Sequence, residues 1–366
     1  MIQQKFAVLF AAWVLLAPAV AFGGDTATPD DTARFLAGMQ PSAGSPLAAL
    51  ADHSWQQHAN YMDSAFDKVE QRQLSKIRKW SSTHLTNPRP TLFYMFSGPD
   101  FLYANAFFGS ATTYVLAGLE PVGPIPDLVG MPRGSIPGIL SNLHGSLQSI
   151  LGVGFFITRD MSSSLNSGRL TGTTPVLYTF LARSGKTIES AELINLDDKG
   201  EVRPGDGEKV KTAARGVKIV FTDKENRKQT LYYFSTNLAN DSFKNSGFAK
   251  FCEGLGVGDG MIKSASYLLH SSEFSQVRDF LLAHSATILQ DDTGIPAAQF
   301  DTTRWSLSPY GRYIGPITIF RDRYQNRLRE IYQKRPDPID FSFGYRWQPD
   351  ESNLLLATRT DLQSTK

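Results

Sequence analysis

The chain has 366 residues, of which 41% are hydrophobic and 20% are charged, and its formal net charge is +2. This composition is typical of a globular protein with ample core. A charge so close to zero, with the short stretch Lys76–Lys79 as its most basic part, argues against nucleic acid as a partner.

Residues 1–23 have the order of a secretory signal peptide. Lys5 precedes an apolar run from Phe6 to Leu16, and Pro18 and small residues follow it. Cleavage before Phe22 or before Gly24 fits, and Gly24 is preferred because it leaves a small and an acidic residue at the new terminus. A retained anchor is the alternative, but the run is shorter than the roughly 20 residues of a spanning helix. We therefore expect an exported protein, periplasmic or extracellular, without stable membrane insertion after cleavage.

Residues 24–53 are rich in small and polar side chains and predict a mobile N-terminus with a short helix around Thr32–Met39. In residues 54–85, apolar side chains from Trp55 to Trp80 recur every three to four positions, which predicts an amphipathic helical segment. The dipeptides Asn87-Pro88 and Arg89-Pro90 end it.

Residues 86–358 read as a single α/β domain that opens with a strand–helix–strand unit. Thr91–Phe96 is a buried strand, Phe101–Phe108 a helix and Thr113–Leu119 a second strand. A further helix is predicted for Arg133–Leu151.

The middle of the chain predicts an antiparallel excursion. Its strand candidates are Val176–Ala182, Ile188–Leu196, Val217–Thr222 and Leu231–Thr236, of which the last two form a hairpin. The stretch from Asp197 to Gly200 predicts a surface turn, because the further ligands of a calcium loop are missing.

A second strand–helix–strand unit follows, with a strand at Ala265–His270, a helix at Glu273–Ala283 and a strand at Ala286–Gln290. The predicted elements after it are a helix at Ile317–Lys334, strands at Ile339–Trp347 and Leu354–Thr358, and a polar tail, residues 359–366. The expected fold is α/β, with a mixed sheet, two strand–helix–strand units, an antiparallel central excursion and an N-terminal helical segment.

No familiar catalytic motif is present in the sequence: GxSxG, a Walker loop, HExxH, an EF-hand loop and CxxC are all missing. The glycines at 254, 256, 258 and 260 do not fit GxGxxG, and a flexible connection from helix to strand is the preferred interpretation. The single cysteine, Cys252, excludes an intrachain disulfide, and its apolar setting favours a buried thiol over a nucleophile.

Polar side chains follow the four strands of the two units. Because ligands bind beyond the carboxyl ends of strands in open α/β sheets, we expect these side chains to share one edge: Ser97, Asp100, Glu120, His270, Asp291 and Asp292. Such a group suits a divalent cation, or an acid and base pair acting on a neutral substrate such as a glycan. Helix capping and solvation are the competing interpretation.

A second group combines aromatic rings with arginine among Pro and Gly residues. It comprises Trp305, Tyr310, Arg312 and Tyr313, with Tyr345, Arg346 and Trp347 near the end. These side chains suit stacking on a sugar or binding a peptide, although such rings more often pack into a core.

Two functional hypotheses follow. The first is a non-catalytic envelope or extracellular protein that binds a small molecule, a glycan or a protein. The second is a hydrolase that uses the strand-end acids, with Asp291 and Asp100 in acid/base or metal-ligand roles and His270 as an alternative base.

Overall fold

A computed structural model describes residues 26–156, 170–205, 214–334 and 336–362. The predicted signal peptide and both of its cleavage positions lie outside these residues, as does the end of the polar tail from residue 363. Within the described ranges, no helix combines the length and the apolar character needed to cross a membrane.

The described residues form one ten-stranded mixed sheet, which confirms the expected α/β fold. The strands are β1 (Thr91–Tyr94), β2 (Thr113–Gly118), β3 (Thr187–Leu196), β4 (Val202–Pro204), β5 (Ala214–Thr222), β6 (Lys228–Ser235), β7 (Gly258–Ile262), β8 (Ser285–Gln290), β9 (Trp305–Gly311) and β10 (Asn353–Arg359). Their order is β4-β3-β5-β6-β2-β1-β7-β8-β10-β9. The five from β6 to β8 are parallel, and the flanking strands pair antiparallel.

Helices cover both faces of the sheet. They are α1 (Pro29–Leu36), α2 (His53–Val69), α3 (Ser75–His84), α4 (Phe101–Phe107), α5 (Ile136–Val153), α6 (Thr174–Arg183), α7 (Asn240–Phe243), α8 (Gly247–Gly254), α9 (Ser275–His284) and α10 (Asn326–Tyr332). A π-helical turn, Glu70–Leu74, joins α2 to α3.

Two apolar cores lie on opposite faces of the sheet because successive side chains of a strand point in opposite directions. Leu92 and Tyr94 of β1 belong to the core beneath α1 to α6, whereas Phe93 belongs to the core beneath α8 and α9. Consequently the helix of the β1–α4–β2 unit and the helix of the β7–α9–β8 unit cover different faces.

The N-terminal segment is packed on the body, in contrast to the mobile segment expected for residues 24–53. Phe35 of α1 is fully buried, and its carbonyl accepts a hydrogen bond of 3.1 Å from Trp55 Nε1. Asp30 accepts one of 3.0 Å from the backbone of Ile188 in β3. The short helix was predicted, a few residues further along the chain, but the small and polar composition did not reveal that its apolar face packs on the body.

Three predictions of strands were wrong. Residues 176–182 belong to helix α6, in which every side chain from Thr174 to Ala182 is buried, so no polar face marks the helical period. Residues 265–270 form turns and a short 3₁₀ helix, Leu268–His270, and the strand lies earlier, at β7. Residues 339–347 contribute only an isolated bridge between Phe343 and Arg346.

Several boundaries also differ. The segment predicted as one helix over Ile317–Lys334 divides into a 3₁₀ segment, Thr318–Arg323, and α10. Strand β9 occupies residues for which no strand was predicted, and Arg359, assigned to the tail, is the last residue of β10. The single-domain boundary at 86–358 stays a prediction.

Candidate functional site at the strand ends

The order of the parallel strands creates a switch point between β1 and β7. The chain leaves β1 for β2 on one side, and it later returns to β7 on the other side and continues to β8. In such sheets the loops that follow the two central strands part from each other, and the crevice between them is where ligands bind. The residues after β1 and β7 are therefore the first place to look for function.

Both loops at the switch point hold non-glycine residues in the left-handed conformation. Phe96 has φ 61°, and Ser264, Ser266 and Tyr267 have φ 54°, 51° and 56°. The other non-glycine residues with positive φ in the described ranges are two asparagines, which tolerate this conformation in turns. Strained backbone concentrated at one edge is characteristic of binding and catalytic sites.

A cavity of about 150 Å³ lies at this edge, and we call it the strand-end pocket. Its walls come from the loops that follow β1, β2, β6 and β7, together with Phe274 before α9. The lining side chains other than glycine are Phe96, Leu119, Glu120, Thr236, Asn237, Leu238, Ser264, Ala265, Ser266, Leu268 and Phe274. Most of them are apolar.

Glu120 is the ionisable residue of the pocket wall. It is 7% exposed, and burial raises the pKa of its carboxyl. Its carboxyl lies close against Gly118, where a side chain would collide with it, and the Tyr233 hydroxyl donates a 2.8 Å hydrogen bond to its backbone carbonyl. The pocket thus contains an acid whose neutral form is favoured by its surroundings.

Ser264 lines the pocket from the β7 side. Its backbone N–H donates to Asp291 Oδ2 over 3.3 Å, whereas its buried hydroxyl has no hydrogen-bond partner among the described residues. A buried hydroxyl without a partner costs free energy, so a ligand atom that bonds to it gains affinity.

Asp100 is neutralised by a buried cation that the sequence analysis missed. Lys263 Nζ lies 2.6 Å from Asp100 Oδ2, and both side chains are 2% exposed. Lys263 also donates to the carbonyl of Gly154 over 2.7 Å and lies 3.4 Å from the centre of the Tyr103 ring. Burial lowers the pKa of Lys263, and the Asp100 carboxylate opposes that shift. Asp100 further accepts from the Tyr94 hydroxyl over 2.9 Å and caps α4.

Asp291 directly follows β8 and accepts the hydrogen bond from the backbone of Ser264. Its Oδ1 accepts a 2.5 Å hydrogen bond from the hydroxyl of Thr293, and it is 1% exposed. Burial, and then the neighbouring carboxylate of Asp292, raise the pKa of Asp291 to about 7. The backbone of Gly344 lies so close to Oδ2 that a β-carbon there would collide with it.

Asp292 contacts a different set of residues from Asp291. It accepts hydrogen bonds from the Tyr267 hydroxyl and, over 3.0 Å, from Asn353 Nδ2. Burial raises the pKa of Asp292. His270 contacts Tyr267, and the two rings meet edge to face with their centres 5.1 Å apart. Burial lowers the pKa of His270 to about 4. Its Nε2 is buried without a partner among the described residues.

The predicted group is therefore only partly assembled. Asp100 and Asp291 lie around the switch point, and Glu120 lines the pocket beside Ser264, whereas His270 associates with Asp292. Ser97 is buried, and its hydroxyl donates to the carbonyl of Gly98, so it is a turn residue. The catalytic and binding roles given to these residues stay predictions.

The aromatic group does not form one surface. Trp305 is buried against Phe300 in the core beneath α8 and α9, while Tyr310, on the opposite face of β9, packs on Trp80. Tyr313 packs on Tyr324 and Tyr332, and burial raises the pKa of Tyr313 to about 12. Of this group, Arg312 and Trp347 are exposed.

Two further observations concern other possible sites. Across the described ranges, no group of three or more His, Cys, Asp and Glu side chains is arranged to hold a metal ion. A larger cavity, of about 660 Å³, lies between α2, α4, α6 and the β5–β6 turn. Its acids and bases largely pair with each other, as in Arg78 with Glu70 and Arg227 with Asp223, so the strand-end pocket is the more specific candidate.

Lys263 and Ser264 were not predicted as site residues because strand β7, which precedes them, was not predicted. Its sequence, Gly-Asp-Gly-Met-Ile, has few strand-forming residues. Placing a strand there would have put Lys263 and Ser264 at its carboxyl end, beside the other strand ends.

Comparison of the chain with protein-family models, with curated proteins and with solved structures finds no match.

Proposed function

We propose that the protein is exported and binds a small uncharged molecule, or an uncharged group of a glycan or peptide, in the strand-end pocket without transforming it. The observation that carries the proposal is the pocket itself. It lies at the switch point between two strained loops, its walls are mostly apolar, and it is bordered by Glu120 and by Ser264, whose buried hydroxyl has no partner among the described residues.

An uncharged ligand fits the lining best. Glu120 is the ionisable side chain among the described residues of the wall, and none of those residues is a lysine, arginine or histidine that could bind an anion. Burial raises the pKa of Glu120, which favours its neutral form as a hydrogen-bond donor. A ligand hydroxyl can accept from Glu120 or bond with Ser264 while its apolar part contacts Phe96 and Phe274.

Binding is preferred over hydrolysis because the strand-end acids are enclosed. A catalytic acid or base must reach the reacting atom within hydrogen-bond distance. Asp100 is 2% exposed and bonded to Lys263 and Tyr94, and Asp291 is 1% exposed and bonded to Thr293. The alternative, a hydrolase that uses these acids with or without a divalent cation, has less support from these contacts.

Saturation-transfer NMR tests the proposal with two probes, benzyl alcohol and methyl β-glucoside, each of which combines an apolar face with hydroxyl groups. We expect at least one probe to bind, and Glu120→Met and Ser264→Ala each to weaken it about fivefold, the effect of one lost hydrogen bond. The matched controls Glu225→Met and Ser184→Ala alter the larger cavity and leave binding unchanged.

Absence of binding by both probes, or equal binding by all four variants, would contradict the proposal. Hydrolysis of a nitrophenyl glycoside or ester by the wild-type protein, abolished by Asp291→Asn, would support the hydrolase instead.

A further inference from the structure

Basic charge is also concentrated in a stretch much longer than Lys76–Lys79, residues 312–334. It holds six basic side chains and two acidic ones, a net charge of +4, whereas the whole chain carries +2. The rest of the chain therefore carries −2. Arg312, Arg321 and Arg329 are exposed and form no ion pair within the described ranges, so their charges are available to a partner.

Exposed apolar side chains are concentrated in the same place. Ile319 is 77% exposed, Trp347 61%, Tyr324 44% and Ile314 39%. Among the described residues, the other large apolar side chains with comparable exposure are Tyr61, Leu119 and Val257, which come from separate parts of the chain. Single exposed apolar residues are ordinary, but a group of them marks an interaction surface.

Contacts within the fold show that the segments carrying these side chains adjoin. The Tyr324 ring packs beside Gly315, and Arg346 Nη2 donates to the carbonyls of Gly315 and Pro316 over 3.1 and 3.2 Å. Trp347 follows Arg346 directly in the chain. We call the following residues the basic apolar patch: Arg312, Ile314, Ile319, Arg321, Arg323, Tyr324 and Trp347.

We infer that the basic apolar patch docks on the surface of an anionic lipid bilayer. Trp and Tyr favour the membrane interface, exposed isoleucines insert among the acyl chains, and nearby arginines attract anionic headgroups. Charge complementarity selects this partner, because the patch is strongly basic on a chain that is otherwise slightly acidic. Such docking is peripheral, which agrees with the finding that no described helix is suited to cross a membrane. The inference does not depend on the ligand-binding proposal.

Vesicle co-sedimentation tests the inference on protein recovered after export, whose N-terminus is first identified by mass spectrometry. We expect binding to vesicles of phosphatidylglycerol and phosphatidylcholine in equal parts, little binding to pure phosphatidylcholine, and release by high salt. Arg321→Glu with Arg323→Glu, and separately Ile319→Ser with Trp347→Ser, should each weaken binding about tenfold or more.

Matched controls separate the patch from general surface properties. Leu119→Ser with Val257→Ser removes equally exposed apolar side chains elsewhere, and Lys199→Glu with Arg203→Glu reverses charge elsewhere. Both double variants should bind as the wild type does, and circular dichroism verifies that every variant is folded. All variants share one N-terminus, so that segment contributes equally to each.

Three outcomes would overturn the inference: equal binding to neutral and anionic vesicles, no binding to either at low salt, or the same loss in the patch variants and the controls. In the second case the patch would be assigned to an acidic protein partner.

Discussion

Asp100 and Asp291 follow two different parallel strands, β1 and β8, and the groups that they contact differ. Each of the two side chains is almost fully buried. Asp100 touches the ammonium group of Lys263, whereas Asp291 bonds to Thr293 and to the backbone of Ser264, with the acid Asp292 beside it. Burial raises the pKa of Asp291 to about 7. Burial without a contacting cation therefore favours the neutral form of the Asp291 carboxyl.

The difference originates in β7. Lys263 is the first residue after this central strand, and it reaches towards α4 to meet Asp100. Asp100 also caps that helix, so the ion pair ties the loop after β1 to the loop after β7. One buried cation therefore holds the two sides of the switch point together.

The largest effect is expected from Lys263→Met, which leaves Asp100 buried without its cation. Removing one partner of a buried ion pair costs about 3–5 kcal/mol of unfolding free energy, which urea denaturation at neutral pH measures. The surface pair of Lys218 with Glu192 provides the control, since Lys218→Met should cost less than about 1 kcal/mol.

Adding Asp100→Asn to Lys263→Met should recover part of that loss, because it removes the unpaired charge. A loss as small as that of Lys218→Met would mean that the ion pair does not organise the switch point.

A smaller effect is expected from pH. Because the pKa of Asp291 is raised from 3.8 to about 7, the folded protein retains a proton that the unfolded chain has lost. The stability that this proton contributes is complete below about pH 4 and is lost as the pH rises through 7. Asp291→Asn stays neutral, so the wild type should lose roughly 2 kcal/mol relative to this variant between about pH 5 and pH 7.

Urea denaturation of both proteins at the two pH values gives the measurement. Only the difference between the two proteins is diagnostic, because other groups also titrate in this range. Burial lowers the pKa of His58 and of His270 to about 4, so their contribution to stability rises with pH, opposite to that of Asp291. Parallel pH dependences for wild type and variant would show that the pKa of Asp291 is not raised, and the different surroundings of the two acids would have no measurable consequence.

The parts of the fold that the sequence predicted are those in which local pattern and burial agree. β1, α4 and β2 were located to within two residues, because a short aromatic run, a capping Asp100 and a β-rich run follow each other closely. The second unit was predicted with its first strand displaced, since β7 contains glycines. Gly258 is needed there because a β-carbon would lie 2.5 Å from the carbonyl of Thr91 in β1. Such close packing of two strands has no local signal.

Residues of the site could be predicted from the sequence only where the end of a strand was itself predicted. Asp291 and Glu120 were selected because they follow strands, and the topology does place them at the expected edge. What those side chains contact depends on residues distant in sequence. Three residues that follow no strand of the parallel sheet make such contacts: Gly154 with Lys263, Gly344 with Asp291 and Asn353 with Asp292. Long-range packing of this kind is absent from any local pattern.

The smallest effect is expected from replacing Gly344 by alanine, and a comparison with Gly256 distinguishes crowding at Asp291 from ordinary backbone strain. Gly344 and Gly256 have nearly the same positive φ, 77° and 74°, so replacing either by alanine incurs a similar conformational cost. Only at 344 does the new β-carbon collide with Asp291 Oδ2, since nothing surrounds Gly256 within 4 Å. The loss of unfolding free energy caused by Gly344→Ala should therefore be about 1.5 kcal/mol larger than the loss caused by Gly256→Ala. Combining Gly344→Ala with Asp291→Ala should remove most of that excess, because the colliding carboxyl group is gone and only the β-carbon of residue 291 stays close. Additive losses would instead place the crowding elsewhere, and the close enclosure of Asp291 would no longer account for its raised pKa.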